Sequence, residues 1–103
     1  MEQIANDTLT QIVRREVAEY AVELIDETNP AKLYYTENVE EQVYCVTAPY
    51  DPQLKKADLV LMVRVVSDQI IIDTDMNDKP LSDALLQAGI PADHIILAWT
   101  AHR

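Results

Sequence analysis

The sequence predicts an α+β fold with a long N-terminal helix, a mainly antiparallel sheet of about four strands, and a second helix before the last strand. Three observations predict it. Apolar residues recur every three or four positions in the first quarter of the chain, and short apolar runs rich in β-branched residues fill the middle. A second helical pattern, which ends at the only glycine, precedes the last apolar run. With 103 residues, the whole chain 1–103 is expected to form a single domain.

The first helix is predicted from about residue 5 to about residue 27. Thr8 and Gln11 have the form of a capping box near its start, and Asn29-Pro30 marks its end. Its apolar residues are spaced by three and four: Leu9, Ile12, Val13, Val17, Tyr20, Ala21, Leu24 and Ile25.

Three strands are predicted in the middle of the chain. Residues 43–48 favour a strand that Pro49 and Pro52 end. Residues 59–66 are apolar on both faces apart from Arg64, as in a central strand covered on at least one side by helix. A short polar break then leads to residues 70–72, which predicts an antiparallel hairpin although the usual glycine is missing. Residues 32–38 remain open between a loop and a short edge strand.

The second helix has the clearest local signals. Asp78 is predicted to cap it, and Leu81, Ala84, Leu85 and Ala88 recur at helical spacing. Gly89 stands where a left-handed C-terminal cap is needed, Ile90 is expected to pack back onto the last turn, and Pro91 prevents continuation. Residues 94–99 are predicted to form the last strand.

The charge of the chain excludes several function classes. Eight basic and eighteen acidic residues give a net charge of -10, which argues against direct binding of nucleic acid.

Cys45 is the only cysteine, so no intramolecular disulfide forms; we interpret it as a buried structural thiol in a reduced, cytoplasmic protein. The N-terminus does not have the form of a secretory signal, and no apolar run is long enough to span a bilayer, so no membrane role is expected.

One acidic segment invites a metal hypothesis. Residues 73–78 begin like a calcium loop, but Asp78 stands where a glycine is needed and Ala84 where a bidentate glutamate is needed. We favour a polar turn, and the alternative is a small metal-dependent or ligand-binding domain that uses Asp73, Asp75 and Asp78. His94 and His102 are interpreted as exposed polar residues. We therefore predict no catalytic residue, no metal, no cofactor and no enzyme activity.

Protein partners are the remaining class. We interpret Tyr20 and Tyr44 as core residues, whereas Tyr34, Tyr35, Tyr50 and Trp99 are candidate interface anchors, because such rings are enriched at binding hot spots. The polar face of the first helix becomes acidic towards its C-terminal end, which fits either a partner surface or a solvated face. The candidate partner-binding residues are Glu16, Glu19, Glu23, Tyr50 and Trp99. A short chain with an incompletely covered sheet also favours a homo-oligomer.

The C-terminal half resembles the XisI family, small proteins named as controlling factors for excision of the fdxN element. The resemblance rests on a leucine-rich helix end, Gly89-Ile90-Pro91, the acidic Asp93, and an aliphatic strand that ends at Trp99. It covers residues 40–99 clearly and the N-terminal helix by position. Two departures are Ala48-Pro49-Tyr50 in place of a Gly-Trp type turn and the missing hairpin glycine at residues 67–69.

The resemblance implies a cytoplasmic, non-catalytic accessory protein of cyanobacterial type. It also implies a companion protein, XisH, which is itself similar to nucleases. Electrostatic complementarity suggests that an acidic chain restrains such a companion by occupying its basic DNA-binding surface.

Overall fold

The computed structural model describes residues 5–23 and 32–100. The elements are α1 (Asn6–Glu23), β1 (Tyr34–Asn38), β2 (Val43–Asp51), β3 (Lys56–Val66), β4 (Gln69–Asp75), α2 (Leu81–Gln87) and β5 (Ile95–Leu97), with short 3-10 turns at Ala92–His94 and Ala98–Thr100. The strands form one sheet in the order β1-β2-β3-β4-β5. The pairs β1–β2, β2–β3 and β3–β4 are antiparallel, whereas β5 runs parallel to β4 because a helix connects the two.

Both α-helices pack on the same face of the sheet. The predicted apolar face of α1, together with α2 and Ile90, supplies the helical side of the core. Alternate residues of β2, β3 and β4 supply the sheet side. Tyr20 and Tyr44 belong to this core, as predicted. Its members are Leu9, Val13, Val17, Tyr20, Ala21, Tyr44, Val46, Leu61, Val63, Val65, Ile70, Ile72, Leu81, Ala84, Leu85 and Ile90. The result is a two-layer α+β fold, as the sequence predicted.

The start of α1 differs from the prediction. The helix begins at Asn6, and the Leu9 amide already donates to the Ala5 carbonyl at 3.0 Å. Thr8 therefore lies inside the first turn, and the capping box was wrong. Instead, the side-chain Nδ2 of Asn6 donates to the Ser67 carbonyl at 2.8 Å, which connects the helix start to the β3–β4 turn. The predicted extension over 24–27 lies outside the described residues.

The sheet has five strands rather than about four, because the ambiguous residues before Asn38 form the edge strand β1. The expectation that Pro49 ends β2 was wrong, since β2 continues to Asp51. The physical reason lies in the pairing: β1 reaches only as far as Thr47, and the β2–β3 register shifts between Ala48 and Asp51. A ladder donor is therefore not needed at Pro49.

The β3–β4 hairpin forms without a glycine because Ser67 takes the positive φ of 56°. The predicted cap of α2 was wrong. Asp78 is exposed, Pro80 occupies the N-cap position, and the Asp75 carboxylate accepts the Leu81 amide at 2.7 Å.

The end of α2 confirms the prediction. Gly89 has a φ of +100°, and the Ile90 amide donates to the Leu85 carbonyl at 3.0 Å. Ile90 is buried, and Pro91 precedes the 3-10 turn that contains the exposed Asp93. This geometry is a Schellman-type cap. The last strand is shorter than predicted, since it ends at Leu97 and Trp99 lies in the following 3-10 turn.

Candidate functional site

The strands β2 and β3 extend beyond the rest of the sheet. The edge strand β1 pairs with β2 only as far as Thr47, and β4 pairs with β3 only as far as Leu61. Past these positions the two strands pair with each other down to Asp51 and Lys56. We call residues 48–59 the arm. A two-stranded ribbon on its own is marginally stable, so its conformation depends on its turn and its base.

The turn of the arm is held by Asp51. Its carboxylate oxygen Oδ1 accepts the Gln53 amide at 2.8 Å, and its carbonyl accepts the Lys55 amide at 2.6 Å. This places two large side chains in solvent, since Tyr50 and Leu54 are each 63% exposed. The arm therefore presents an aromatic ring and an aliphatic side chain at its tip.

Other exposed apolar side chains lie at the same end of the sheet. Tyr34 stands opposite Thr47, at the base of the arm. Met76 lies at this base as well, because its backbone amide donates to the Val60 carbonyl at 2.9 Å. Trp99 follows β5, which runs parallel to β4 and so ends at this side. We call this surface the arm end; its exposed large apolar residues are Tyr34, Tyr50, Leu54, Leu59, Met76 and Trp99.

The concentration of these residues at one end distinguishes it from the remaining surface. Only three other large apolar side chains of the described residues are comparably exposed: Val39, Val66 and Leu86. Val39 and Val66 lie at the opposite end of the sheet, and Leu86 lies on α2. Clustered exposed apolar groups mark interaction sites, whereas scattered ones are ordinary.

The arm end also carries lysines. The Lys32 ammonium lies 5.2 Å from the centre of the Tyr34 ring, Lys55 lies in the turn of the arm, and Lys56 follows it and lies 3.7 Å from Asp58. The C-terminal half of α1 reaches this end as well, because the Tyr20 hydroxyl donates to the Lys79 carbonyl at 2.7 Å. The site therefore combines exposed rings, lysines and the acidic end of α1.

The acidic residues of α1 are less free than predicted. Glu16 is half-buried and accepts from the Arg15 guanidinium at 3.1 Å, whereas Glu19 is exposed. The side chain of Glu23 lies outside the described residues. The structure thus places Glu19, Tyr50 and Trp99 in solvent, and it gives Glu16 a local partner.

A network next to α1 fixes β1 to the helix. The Arg14 guanidinium makes two bonds to the Glu37 carboxylate, at 3.0 Å and 2.9 Å, and the Tyr35 hydroxyl donates to the same carboxylate at 2.6 Å. These bonds, that of Tyr35 first, hold the pKa of Glu37 below its usual value. Burial, with the bond to Glu37, raises the pKa of Tyr35. Tyr35, a candidate interface anchor, is therefore mainly a packing residue.

The three aspartates of the metal hypothesis are not brought together. Asp73 binds the Arg64 guanidinium through two bonds, Asp75 caps α2, and Asp78 is exposed. Within residues 5–23 and 32–100, no group of three or more His, Cys, Asp or Glu side chains has a geometry that would hold a metal ion.

His94 lies in the 3-10 turn after α2, and Cys45 lies on β2. The imidazole Nδ1 of His94 is 2.6 Å from the Asp68 carbonyl oxygen, which ties the β3–β4 turn to the segment after α2. Cys45 is half-buried rather than fully buried, and burial raises the pKa of its thiol. His102 lies outside the described residues.

In the described part of the chain no helix is both long enough and apolar enough to cross a membrane.

The comparisons with known proteins agree with this fold. A family model described as "XisI protein" matches residues 1–103. The chain belongs to the XisI family. A solved XisI-like protein from Anabaena variabilis superposes with a TM-score of 0.75 at 16% identity, covering 85% of this chain and 81% of that one. No curated protein sequence matches significantly.

A second solved structure belongs to a protein named as fdxN element excision controlling factor XisI, also from Anabaena variabilis. Its TM-score is 0.65 at 20% identity, and the match covers 91% of this chain and 88% of that chain. At these identities the two structures establish the shared XisI fold, with both helices on one face of the sheet.

Sequence reasoning missed the arm of this XisI-family chain. Tyr50 and Trp99 were singled out by residue type alone, and both are exposed. Leu54, Leu59 and Met76 were not singled out, although Leu54 stands in a polar segment directly after Pro52, which is typical of an exposed turn.

Proposed function

We propose that this XisI-family chain is a non-catalytic regulatory protein that binds a nuclease-like companion of the XisH type and thereby controls excision of a DNA element. The arm end is the proposed binding surface. The observation that carries the proposal is the clustering of exposed rings and aliphatic side chains at one end of the sheet. Support for the regulatory role comes from family membership and from a solved relative that is named as an excision controlling factor.

The two kinds of group at the arm end contribute in different ways. Tyr50 and Trp99 are large, rigid side chains of the type that dominates binding energy at interfaces. The acidic end of α1, with Glu19 exposed, attracts a basic surface at long range and so increases the association rate. A nuclease carries a basic surface for its DNA. Binding there blocks DNA access, which is how a protein without catalytic groups regulates an excision reaction.

The direct experiment is co-purification with the XisH-like companion from the same genome. The mass of the complex and the DNA binding of the companion are recorded on the same sample. We expect a stable complex whose companion binds DNA more weakly than the companion alone. Absence of a complex, or a complex that binds DNA as well as the free companion does, contradicts the proposal.

Two variants and a matched control test the surface. We expect Tyr50→Ala and Trp99→Ala each to raise the dissociation constant about 30-fold, the effect of a hot-spot loss of about 2 kcal/mol. Leu86→Ala is the control, because Leu86 is 45% exposed but lies on α2. An equal loss in the control would assign binding to another surface.

The acidic residues are tested together. We expect the triple variant Glu16→Gln, Glu19→Gln and Glu23→Gln to slow association and to flatten its dependence on salt, with a smaller effect on dissociation. Unchanged association and salt dependence would remove the electrostatic part of the proposal.

A further inference from the structure

The face of the sheet opposite the helices is apolar and half-buried. In a strand, successive side chains point to opposite faces, so the neighbours of the core residues face away from α1 and α2. Cys45 pairs with Met62 on this side, Arg64 pairs with Ile71, and Ile71 pairs with Ile96. We call this surface the open face; its central residues are Val43, Cys45, Met62, Arg64, Ile71, Asp73 and Ile96, all half-buried.

The open face is electrically neutral in a chain of net charge -10. Its two charged groups bind each other: Arg64 Nε lies 2.6 Å from Asp73 Oδ2, and Arg64 Nη2 lies 3.0 Å from Asp73 Oδ1. Both hydrogen bonds between Arg64 and Asp73 are made within one chain. Because the pair is already satisfied, covering it costs less than covering a lone charge.

We infer that the open face packs against the same face of a second copy of this chain. A two-fold interface brings identical patches together, so the patch must be self-complementary. An apolar patch whose only charges cancel meets that requirement. The acidic surfaces do not meet it, because two copies of them repel.

The distance between the acidic α1 helices of the two copies also favours a dimer through the open face over a dimer through another surface. Two sheets packed face to face lie about 10 Å apart, which places the two α1 layers on the outside and about 30 Å from each other. That distance exceeds the screening length of about 8 Å at physiological ionic strength. The copies thus associate through the one face where their like charges are farthest apart, whereas a basic partner would be drawn to the acidic helices instead.

The area of the open face sets the strength of the dimer. Five strands spanning about 24 Å and a length of about 20 Å give ~480 Å² in projection on each copy. A standard stable interface buries about 800 Å² on each partner, so the dimer is expected at the weak end of specific association. The arrangement leaves α1 and its acidic residues outside the interface, and the inference does not depend on the proposed function.

Sedimentation equilibrium of the full chain tests the inference. Over a concentration range from about 5 to about 500 µM, the mass is expected to rise from monomer to dimer. Raising the salt from about 0.05 to about 0.5 M is expected not to weaken the dimer, because the interface is neutral and the acidic layers lie beyond the screening length. A mass that remains monomeric throughout, or a dimer that salt weakens, overturns the inference.

Matched variants locate the interface. Ile71→Lys and Met62→Lys each place an ammonium group on the open face, whereas Leu86→Lys makes the same charge change on α2. We expect the first two to remain monomeric and the control to dimerise as the parent does. All three variants make the net charge less negative by the same amount, so a loss confined to the first two comes from the ammonium group on the open face. Equal dimerisation of all three overturns the assignment.

The single cysteine provides a readout that needs no variant. Cys45 lies on the open face, and its thiol is expected to react more slowly with an aromatic disulfide reagent as the protein concentration rises through the dimerisation range. A reaction rate per thiol that does not depend on protein concentration, where sedimentation shows a dimer, places the interface elsewhere.

Discussion

The buried hydroxyl of Tyr44 gives the sharpest test of the core. Tyr44 is 0% exposed beneath α1, and its hydroxyl has no hydrogen-bond partner among the described residues. Its polar neighbour is the Thr10 hydroxyl, which accepts a hydrogen bond from the Gln42 side chain at 3.0 Å. Leaving a buried hydroxyl unpaired costs about 1–3 kcal/mol. Tyr44→Phe removes that cost and retains the ring.

We therefore expect Tyr44→Phe to raise the free energy of unfolding by about 1 kcal/mol, at the low end of this range because a small void remains. For a domain of this size the melting temperature should rise by about 4–8 °C. Urea denaturation followed by circular dichroism, with thermal denaturation in parallel, measures both quantities.

Tyr20→Phe is the matched control. The Tyr20 hydroxyl is also in the core but donates to the Lys79 carbonyl at 2.7 Å, so the same substitution should lower the free energy of unfolding by about 1 kcal/mol. The two variants are expected to differ in sign. If Tyr44→Phe destabilises the protein as much as Tyr20→Phe does, the Tyr44 hydroxyl is paired and the reasoning is refuted.

Three further predictions concern the ends of α2 and the alkaline pH range. Asp75→Ala should lower the free energy of unfolding by about 1–2 kcal/mol in urea, because the Leu81 amide loses its cap, whereas the exposed Asp78→Ala should change it by less than about 0.5 kcal/mol. Gly89→Ala should cost at least about 1 kcal/mol in the same assay, because φ is +100° although the space around the glycine is open. The raised pKa of Tyr35 favours its neutral form in the folded state, so its contribution to stability is complete below pH 10 and is lost as the pH rises above that value. Unfolding free energies measured against pH should show a smaller alkaline decline in Tyr35→Phe, and an identical decline would contradict this assignment.

The sequence predicted the elements whose signals are local and periodic. The spacing of α1 and the Gly89 cap both appear in the structure because each depends on a few neighbouring residues. The errors came from long-range contacts. Asp75, six residues before Leu81, caps α2 across a loop, and Asn6 meets Ser67 across the chain. Neither contact leaves a short sequence pattern.

The shape of the candidate site was not predicted. Tyr50 and Trp99, two of the predicted partner-binding residues, are exposed, but the arm on which Tyr50 lies arises from how far β1 and β4 extend along their neighbours. The length over which these strands pair depends on contacts between segments that are distant in the sequence. The apolar character of β3 on both faces predicted cover by helix on at least one side, and both helices do cover one face, which leaves the other as the open face.

Salt separates the two proposed interfaces without any variant. The companion binds through opposite charges, so screening weakens that complex. The dimer forms through a neutral face with its acidic layers beyond the screening length, so screening does not weaken it. Because α1 and the open face lie on opposite sides of the sheet, the acidic residues of α1 remain accessible in the dimer. Binding of the companion through them and the tip of the arm is then expected to give a complex with two copies of each protein near physiological salt. A complex of one copy each, formed at concentrations where the free chain is dimeric, would instead mean that the two surfaces compete.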